Sequence, residues 1–139
     1  MDYMMEYQRW LDSGALDAQE TAELEAVRAT TRRSRAAFFA PLSFGTAGLR
    51  GVLGVGLNRM NRFTVGQAAQ GLANLVVSNG QAAMDRGVAI AYDSRHYSPE
   101  FAKQSACILA ANGIKALLFD ELRPTPELSF AVRHYGCIA

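Results

Sequence analysis

The sequence predicts an α/β fold: a three-layer domain with a mixed, mainly parallel sheet between helices, preceded by a helical N-terminal extension. Two short apolar runs, residues 87–92 and 114–120, are typical of buried strands. A helical pattern over residues 98–111 lies between them. A strand, a helix and a second strand of these lengths are typical of a right-handed parallel crossover.

The bulk composition favours one ordinary folded domain. The chain has 139 residues, of which 50% are hydrophobic and 19% are charged, so a packed core is expected. The net charge of +1 gives no general attraction to nucleic acid or to a membrane. With neither a long apolar run nor a secretory signal in view, we expect a cytoplasmic protein. Cys107 and Cys137 lie in apolar runs and are expected to be free, buried thiols.

Residues 1–42 are expected to form the helical extension, and residues 43–139 the domain itself. Apolar residues spaced three and four apart over 2–11 predict a first helix. Asp17 and Glu20 predict a capping box at the start of a second one.

A glycine-rich stretch, residues 43–51, stands at the start of the domain. It contains three glycines, a threonine and Arg50 within nine residues. Glycine lets the backbone approach a ligand closely, and arginine offers a planar set of donors that suits phosphate. The glycines at 51, 54 and 56 have the spacing of part of a dinucleotide fingerprint. That motif needs a helix directly after it, so we favour two short strands within 52–61.

Helix starts and the end of the chain complete the prediction. Thr64 with Gln67, then Ser98, then Thr125 are the predicted N-terminal caps of three helices. Residues 137–139 are expected to begin a third parallel strand. Because a domain rarely stops at the start of a central strand, we expect the chain to be truncated at its C-terminus.

Polar residues follow both predicted parallel strands, at the sheet edge where ligands bind in such folds. Asp93, Ser94 and Arg95 follow the first strand, and Arg123 follows the second. Each loop leads into a helix N-terminus, which favours an anion. A phosphate-bearing ligand is therefore expected, with Arg50 reaching the same rim. The alternative is that Asp93, Arg95 and Arg123 form only caps and ion pairs between loops.

No catalytic set is visible within the sequence. His96 and His134 are lone histidines for which surface or capping roles are expected. No cluster has the spacing of metal ligands, and no serine has a base close by in sequence.

Four motifs in order, 44–51, 58–61, 91–95 and 123–133, resemble the first domain of the α-D-phosphohexomutases. The likeness is to the longer phosphoglucomutase/phosphomannomutase branch, which includes phosphopentomutase-like members and carries a helical preface like residues 1–42.

The resemblance implies an isomerase, an intramolecular phosphotransferase that moves a phosphoryl group between the 1- and 6-positions of a hexose. A phosphoserine donates the group, and a sugar bisphosphate serves as intermediate and activator. Magnesium is implied at the phosphoserine, held by an Asp-rich loop of a second domain. The implied partners are a phosphosugar substrate and the remaining domains of the same polypeptide.

By the same resemblance, Arg50 matches the family arginine that faces the phosphoserine and the bound phosphosugar. Thr46 is a second candidate substrate contact in the same motif. The 93–95 segment matches a motif expected to shape the active-site rim. The phosphoserine loop is expected beyond Ala139, so no catalytic residue and no metal ligand is assigned within the chain, which is expected to be inactive alone.

Two alternatives stay open. The sugar could be mannose or a pentose, because specificity depends on segments that the chain does not contain. The chain could also be a non-catalytic, stand-alone domain of the same fold.

Overall fold

A computed structural model describes residues 2–28, 31–45 and 48–139. The chain folds into two units, Met1–Thr64 and Val65–Ala139. In chain order the described elements are α1 (Tyr3–Leu11), α2 (Ala18–Arg28), α3 (Thr31–Phe38), β1 (Phe44–Gly45), β2 (Gly48–Leu49), α4 (Arg62–Ser78), α5 (Gln81–Arg86), β3 (Val88–Ile90), α6 (Ser98–Ala111), β4 (Ala116–Leu118) and α7 (Thr125–His134). The predicted α/β class is confirmed, although the described strands fall into two separate pairs.

Helices α1 and α2 begin where local side chains cap them. Asp2 caps α1 by accepting a hydrogen bond from the Met4 N–H at 2.9 Å. The predicted capping box before α2 is confirmed: Asp17 Oδ1 accepts from the Glu20 N–H at 2.8 Å, and Glu20 Oε2 accepts from the Asp17 N–H at 3.0 Å. Two orphan N–H groups are thereby satisfied reciprocally.

Aromatic side chains form the core of the first unit. Trp10 packs edge-on against Phe38 at 5.6 Å and against Phe63 at 5.2 Å between ring centroids, and Tyr7 meets Phe38 at 5.8 Å. Such edge-to-face pairs add to the free energy gained from burial. The other buried apolar members of this core are Leu24, Ala37 and Val55.

The glycine-rich stretch forms a short antiparallel pair. Phe44 of β1 lies opposite Leu49 of β2, and Gly45 lies opposite Gly48. The two strands predicted within 52–61 are wrong: the only described pairing there is one isolated bridge between Leu53 and Met60. Gly54 and Gly56 have φ angles of +138° and +123°, which turn the backbone out of the extended conformation.

The start of α4 also differs from the prediction. Asn61, not Thr64, caps it, because Asn61 Oδ1 accepts from the N–H groups of Phe63 and Thr64, both at 3.0 Å. Thr64 Oγ1 accepts in return from the Asn61 N–H at 3.1 Å. Asn61 and Thr64 therefore form a capping box in which Thr64 is the N3 residue, three residues after the cap.

Arg62 ties the start of α4 to α2. Its Nε and one terminal nitrogen donate to the two carboxylate oxygens of Glu20, both at 2.7 Å, and that terminal nitrogen also donates to the Ala15 carbonyl at 2.6 Å. The hydrogen bond from Arg62 is the main reason that the pKa of Glu20 is lowered, and the same bond raises the pKa of Arg62. Charge-assisted, bidentate pairs of this kind are the stronger ones in proteins.

The second unit contains the parallel strands. β3 pairs with β4 in register, with Val88 opposite Ala116 and Ile90 opposite Leu118. Both strands are shorter than the predicted runs 87–92 and 114–120. Gly87 has a φ of +75°, and the Lys115 carbonyl occupies the space where a side chain would stand. Helix α5 was not predicted.

Residues 137–139 lie along the side of β3 that faces away from β4. The Ile138 N–H donates to the Gly87 carbonyl at 2.8 Å, and the Ala89 N–H donates to the Ala139 carbonyl at 2.9 Å. The predicted start of a third parallel strand is therefore wrong: residues 137–139 form no strand, and two backbone hydrogen bonds join them to Gly87 and Ala89.

Two further predictions for the second unit need correction. Ser98 and Thr125 are the first residues of α6 and α7, and Tyr97 and Pro124 precede them as caps. Cys107 is exposed, whereas Cys137 is buried as predicted, and both are free. Cys107 stands two residues before the buried Leu109, which places it about 200° away around the helix.

Six residues form the buried core of the second unit: Ala73, Val76, Ala83, Val88, Leu109 and Ile114. None of the helices in the described part of the chain is long and apolar enough to cross a membrane.

Gly56 and Gly71 make a matched pair for a stability test. A Cβ at Gly56 would lie 2.7 Å from the Ala37 carbonyl oxygen at a φ that L-residues avoid, whereas Gly71 lies within α4 and faces open space. We expect Gly56→Ala to lower the free energy of unfolding by about 2 kcal/mol or more. We expect Gly71→Ala to raise it by about 0.5–1 kcal/mol. Urea unfolding checks both, and equal effects would contradict the geometry.

Glu20→Gln tests the pair with Arg62. Because the pKa of Glu20 is lowered in the folded state, its stabilising effect is complete above the ordinary value of 4.5 and is lost as the pH falls through the folded value. We expect the variant to be less stable by about 1 kcal/mol at neutral pH, since Arg62 is partly exposed. The difference should vanish in acid. Unfolding of Glu25→Gln, an exposed residue of the same helix, is the control.

Candidate functional site

Arg50 directly follows β2 and is exposed. It forms no hydrogen bond or ion pair with any residue that the structure describes. Its guanidinium is therefore open to an anion, for which its planar set of donors is suited. Thr46, the second predicted substrate contact, lies outside the described residues.

The backbone beside Arg50 is closely packed. A Cβ at Gly51 would lie 2.9 Å from Leu42 Cδ1 and 3.5 Å from Met60 Cγ, so only glycine fits without movement of these side chains. The Met60 N–H donates to the Val52 carbonyl at 2.9 Å, and the Leu42 N–H donates to the Leu57 carbonyl at 2.8 Å. The loop formed by residues 52–61, called here the anchor loop, thus holds the chain that leaves Arg50.

Two asparagines hold the anchor loop, Asn61 from within the loop and Asn58 by attaching it to α3. Asn61 Nδ2 donates to the carbonyls of Gly54 and Gly56, both at 2.9 Å. Asn58 donates from its backbone N–H to the Ala37 carbonyl at 2.8 Å and from Nδ2 to the Ala36 carbonyl at 3.2 Å. It thereby satisfies carbonyls in the last turn of α3, which have no partner within the helix.

The sequence prediction missed these roles. It placed residues 58–61 in a region of two short strands and in one motif of the resemblance, and it gave Asn58 and Asn61 no role of their own. The available signal was the pair of asparagines three residues apart beside glycines, because asparagine offers both a donor and an acceptor to turn backbone.

In the second unit, the loop after β3 is built around Asp93. Its Oδ1 accepts from the Arg95 N–H at 3.0 Å, its Oδ2 lies 3.4 Å from Arg95 Nε, and its own N–H donates to Ser98 Oγ at 3.2 Å. The hydrogen bond from the Arg95 backbone is the main reason that the pKa of Asp93 is lowered. Asp93, Ser94 and Arg95 are all exposed.

Arg123, in the loop after β4, is surrounded by carboxylates. Its nitrogens lie 3.0 Å from Glu127 Oε1, 3.3 Å from Glu121 Oε2 and 3.6 Å from Asp120 Oδ1. The hydrogen bond with Glu121, followed by the charges of the acidic neighbours, raises the pKa of Arg123. Arg123 thus forms ion pairs, as in the alternative in which it has only a structural role, and its partners lie in its own loop and at the start of α7.

The loops that follow β3 and β4 are joined to each other. The Tyr92 hydroxyl donates to the Asp120 carbonyl at 2.9 Å, and the Arg123 N–H donates to the Tyr92 carbonyl at 3.1 Å. The structure thus brings the 93–95 segment and Arg123 together within the second unit. Arg50 belongs to the first unit, and its placement at the same rim stays a prediction.

Within the part of the chain that the structure describes, neither histidine belongs to a group that could hold a metal. His96 is exposed, and His134 is exposed and stacks on Phe130 with ring centroids 5.2 Å apart. Among the described residues no three or more His, Cys, Asp or Glu side chains could hold a metal ion together. The carboxylates beside β4 face Arg123 instead. The magnesium implied by the resemblance has no fitting ligand set among these residues, and no step is derived through it.

The parallel strand pair of the second unit, flanked by helices, defines the general class as an α/β domain. Comparison with known proteins gives the family. Residues 41–139 match the model of the phosphoglucomutase/phosphomannomutase alpha/beta/alpha domain I. The chain therefore belongs to the phosphoglucomutase/phosphomannomutase family.

Several curated relatives support this assignment. A phosphoglucomutase of Staphylococcus epidermidis is 52% identical over 93 residues, which cover 67% of this chain and 16% of the relative. A phosphoglucomutase of Staphylococcus saprophyticus is 46% identical over 105 residues, covering 76% of this chain and 18% of the relative. A probable phosphoribomutase of Schizosaccharomyces pombe is 42% identical over 98 residues, covering 70% and 17%. The aligned part is thus less than a fifth of each of these relatives. No solved structure gives a significant match.

Proposed function

We propose that this chain supplies the first domain, residues 43–139, and the helical extension, residues 1–42, of a phosphoglucomutase-type enzyme. The complete enzyme would interconvert hexose 1-phosphate and hexose 6-phosphate through a phosphoserine and a bisphosphate intermediate. The family match over residues 41–139 and the relatives named phosphoglucomutase support this proposal.

Within this chain, the proposal depends on the surroundings of the Arg50 side chain. Its guanidinium is exposed and has no ion-pair partner among the described residues. A phosphoryl group in transfer spreads negative charge over its oxygens, and a fixed cation stabilises that charge. Arg50 is proposed to bind the phosphosugar and to stabilise the phosphoryl group during its transfer. Thr46 is proposed as a second contact to the substrate.

The 93–95 segment is proposed to shape the rim of the site. Asp93 and Arg95 are already engaged with each other, which leaves them less available to a substrate than Arg50. The phosphoserine and the magnesium ligands are assigned to the rest of the longer polypeptide. When bound there, magnesium supplies positive charge beside the phosphoserine. A cytoplasmic location is part of the same proposal.

A pentose phosphate is the second candidate substrate, because one relative carries the name probable phosphoribomutase. Turnover of glucose 1-phosphate, mannose 1-phosphate and ribose 1-phosphate by the complete enzyme separates the choices. Absence of turnover with all three would favour a non-catalytic role.

Arg50→Ala in the complete enzyme tests the role of the arginine. We expect kcat to fall at least about tenfold with the fold intact, because one fixed electrostatic stabiliser of the transition state is lost. Arg50→Lys keeps the charge but loses the planar set of donors, so we expect an intermediate value. Steady-state kinetics with circular dichroism as the folding control provide the measurement, and near-normal turnover of Arg50→Ala would contradict the role.

The 139-residue chain alone is expected to show no mutase activity, since no nucleophile of the reaction is assigned within it. Incubation of the purified chain with glucose 1-phosphate and magnesium, followed by an assay for glucose 6-phosphate, is the measurement. The complete enzyme at equal concentration is the positive control. Conversion by the chain alone would contradict the assignment of the nucleophile to a later segment.

A further inference from the structure

Glu23, on helix α2, contacts the anchor loop through its carboxylate. Glu23 Oε1 accepts a hydrogen bond from the Val55 N–H at 3.2 Å. The same oxygen occupies the space beside Gly54, where a Cβ would lie only 2.5 Å from it. Glu23 thus contacts the backbone of the loop at two successive residues, and the absence of a side chain at Gly54 makes this approach possible.

The contact continues toward Arg50 through backbone hydrogen bonds. The Gly54 N–H donates to the Met60 carbonyl at 3.1 Å, and the Met60 N–H donates to the Val52 carbonyl at 2.9 Å. The Met60 side chain lies against Gly51, the residue after Arg50, at 3.5 Å from where a Cβ would stand. Both hydrogen bonds join described residues of the first unit.

We propose that Glu23, on helix α2 of the N-terminal extension, is a positioning residue for Arg50. It holds the anchor loop, and the anchor loop sets the place of the backbone from which the guanidinium extends. The inference rests on the proposed function of Arg50 and deepens it, since it gives a specific catalytic purpose to the helical extension. Misplacement of a catalytic group by about 1 Å is enough to cost up to about a hundredfold in rate.

Three features make Glu23 suitable for a test. It is exposed, so its replacement does not open a cavity in the core. Glutamine at this position keeps an acceptor oxygen for the Val55 N–H, whereas alanine removes it. Glu25, two residues further along α2, is also exposed, and its side chain has no hydrogen bond with the described residues, which makes it a matched control.

The experiment measures kcat and KM of the complete enzyme with Glu23→Ala, Glu23→Gln, Glu25→Ala and the double variant Glu23→Ala/Arg50→Ala. We expect Glu23→Ala to lower kcat about three- to tenfold. Glu23→Gln should recover most of that loss, and Glu25→Ala should match the wild type. In the Arg50→Ala background the Glu23→Ala change should have little further effect, because residues acting as one unit are not additive.

Hydrogen exchange of the complete enzyme supplies a readout besides activity. Peptides covering 52–61 should exchange faster in Glu23→Ala than in the wild type or in Glu23→Gln. Unchanged kcat and unchanged exchange in Glu23→Ala would overturn the inference while leaving the proposed function intact. An equal loss of kcat from Glu23→Ala with and without Arg50 would also overturn it. Near-normal turnover of Arg50→Ala would overturn both the proposed function and the inference.

Discussion

The first unit depends on one constraint: the backbone of residues 52–61 turns at two glycines with positive φ and forms no regular strand, so its N–H and C=O groups need side-chain partners. Polar side chains provide hydrogen-bond partners for the backbone of residues 52–61. Asn61 binds two glycine carbonyls from inside the loop, and Glu23 and Asn58 attach the loop to α2 and α3. Buried or crowded backbone groups without partners are costly, which is why these contacts are needed. They make the N-terminal helices part of the support for Arg50.

The arginines of the predicted site differ in what surrounds them. Arg123 faces three carboxylates and Arg95 faces Asp93, so their charges are largely compensated by neighbours. The hydrogen bond from the Arg95 backbone N–H lowers the pKa of Asp93. Arg50 has no such neighbour among the described residues. An anionic ligand therefore gains more from Arg50 than from the other two, since no existing ion pair has to be broken first.

The sequence predicted best those features that depend on residues close together in the chain. The capping box of Asp17 and Glu20 needs only a spacing of three, and it formed as predicted. The cap of α4 was misassigned, because Asn61 and Thr64 are both able to cap a helix. The choice between them depends on the glycine carbonyls that Asn61 also binds, and those are placed by tertiary contacts. The same holds for Cys107, whose exposure depends on which face of α6 is covered.

The sequence alone singles out Arg50 as a candidate functional residue, but it does not identify the residues that hold the backbone of Arg50 in place. Arg50 stands out in the sequence because glycines surround it, whereas Glu23 lies 27 positions earlier, in a helix with several other acidic residues. No local pattern distinguishes it from Glu25. Its relevance arises only when α2 and the anchor loop meet, at an oxygen that contacts Val55 and Gly54 together. A long side chain such as arginine loses conformational freedom when it binds a ligand, and a fixed backbone limits that loss. In the proposed site, the contacts that fix the backbone at Arg50 would thus reduce the entropy lost when its side chain binds an anion.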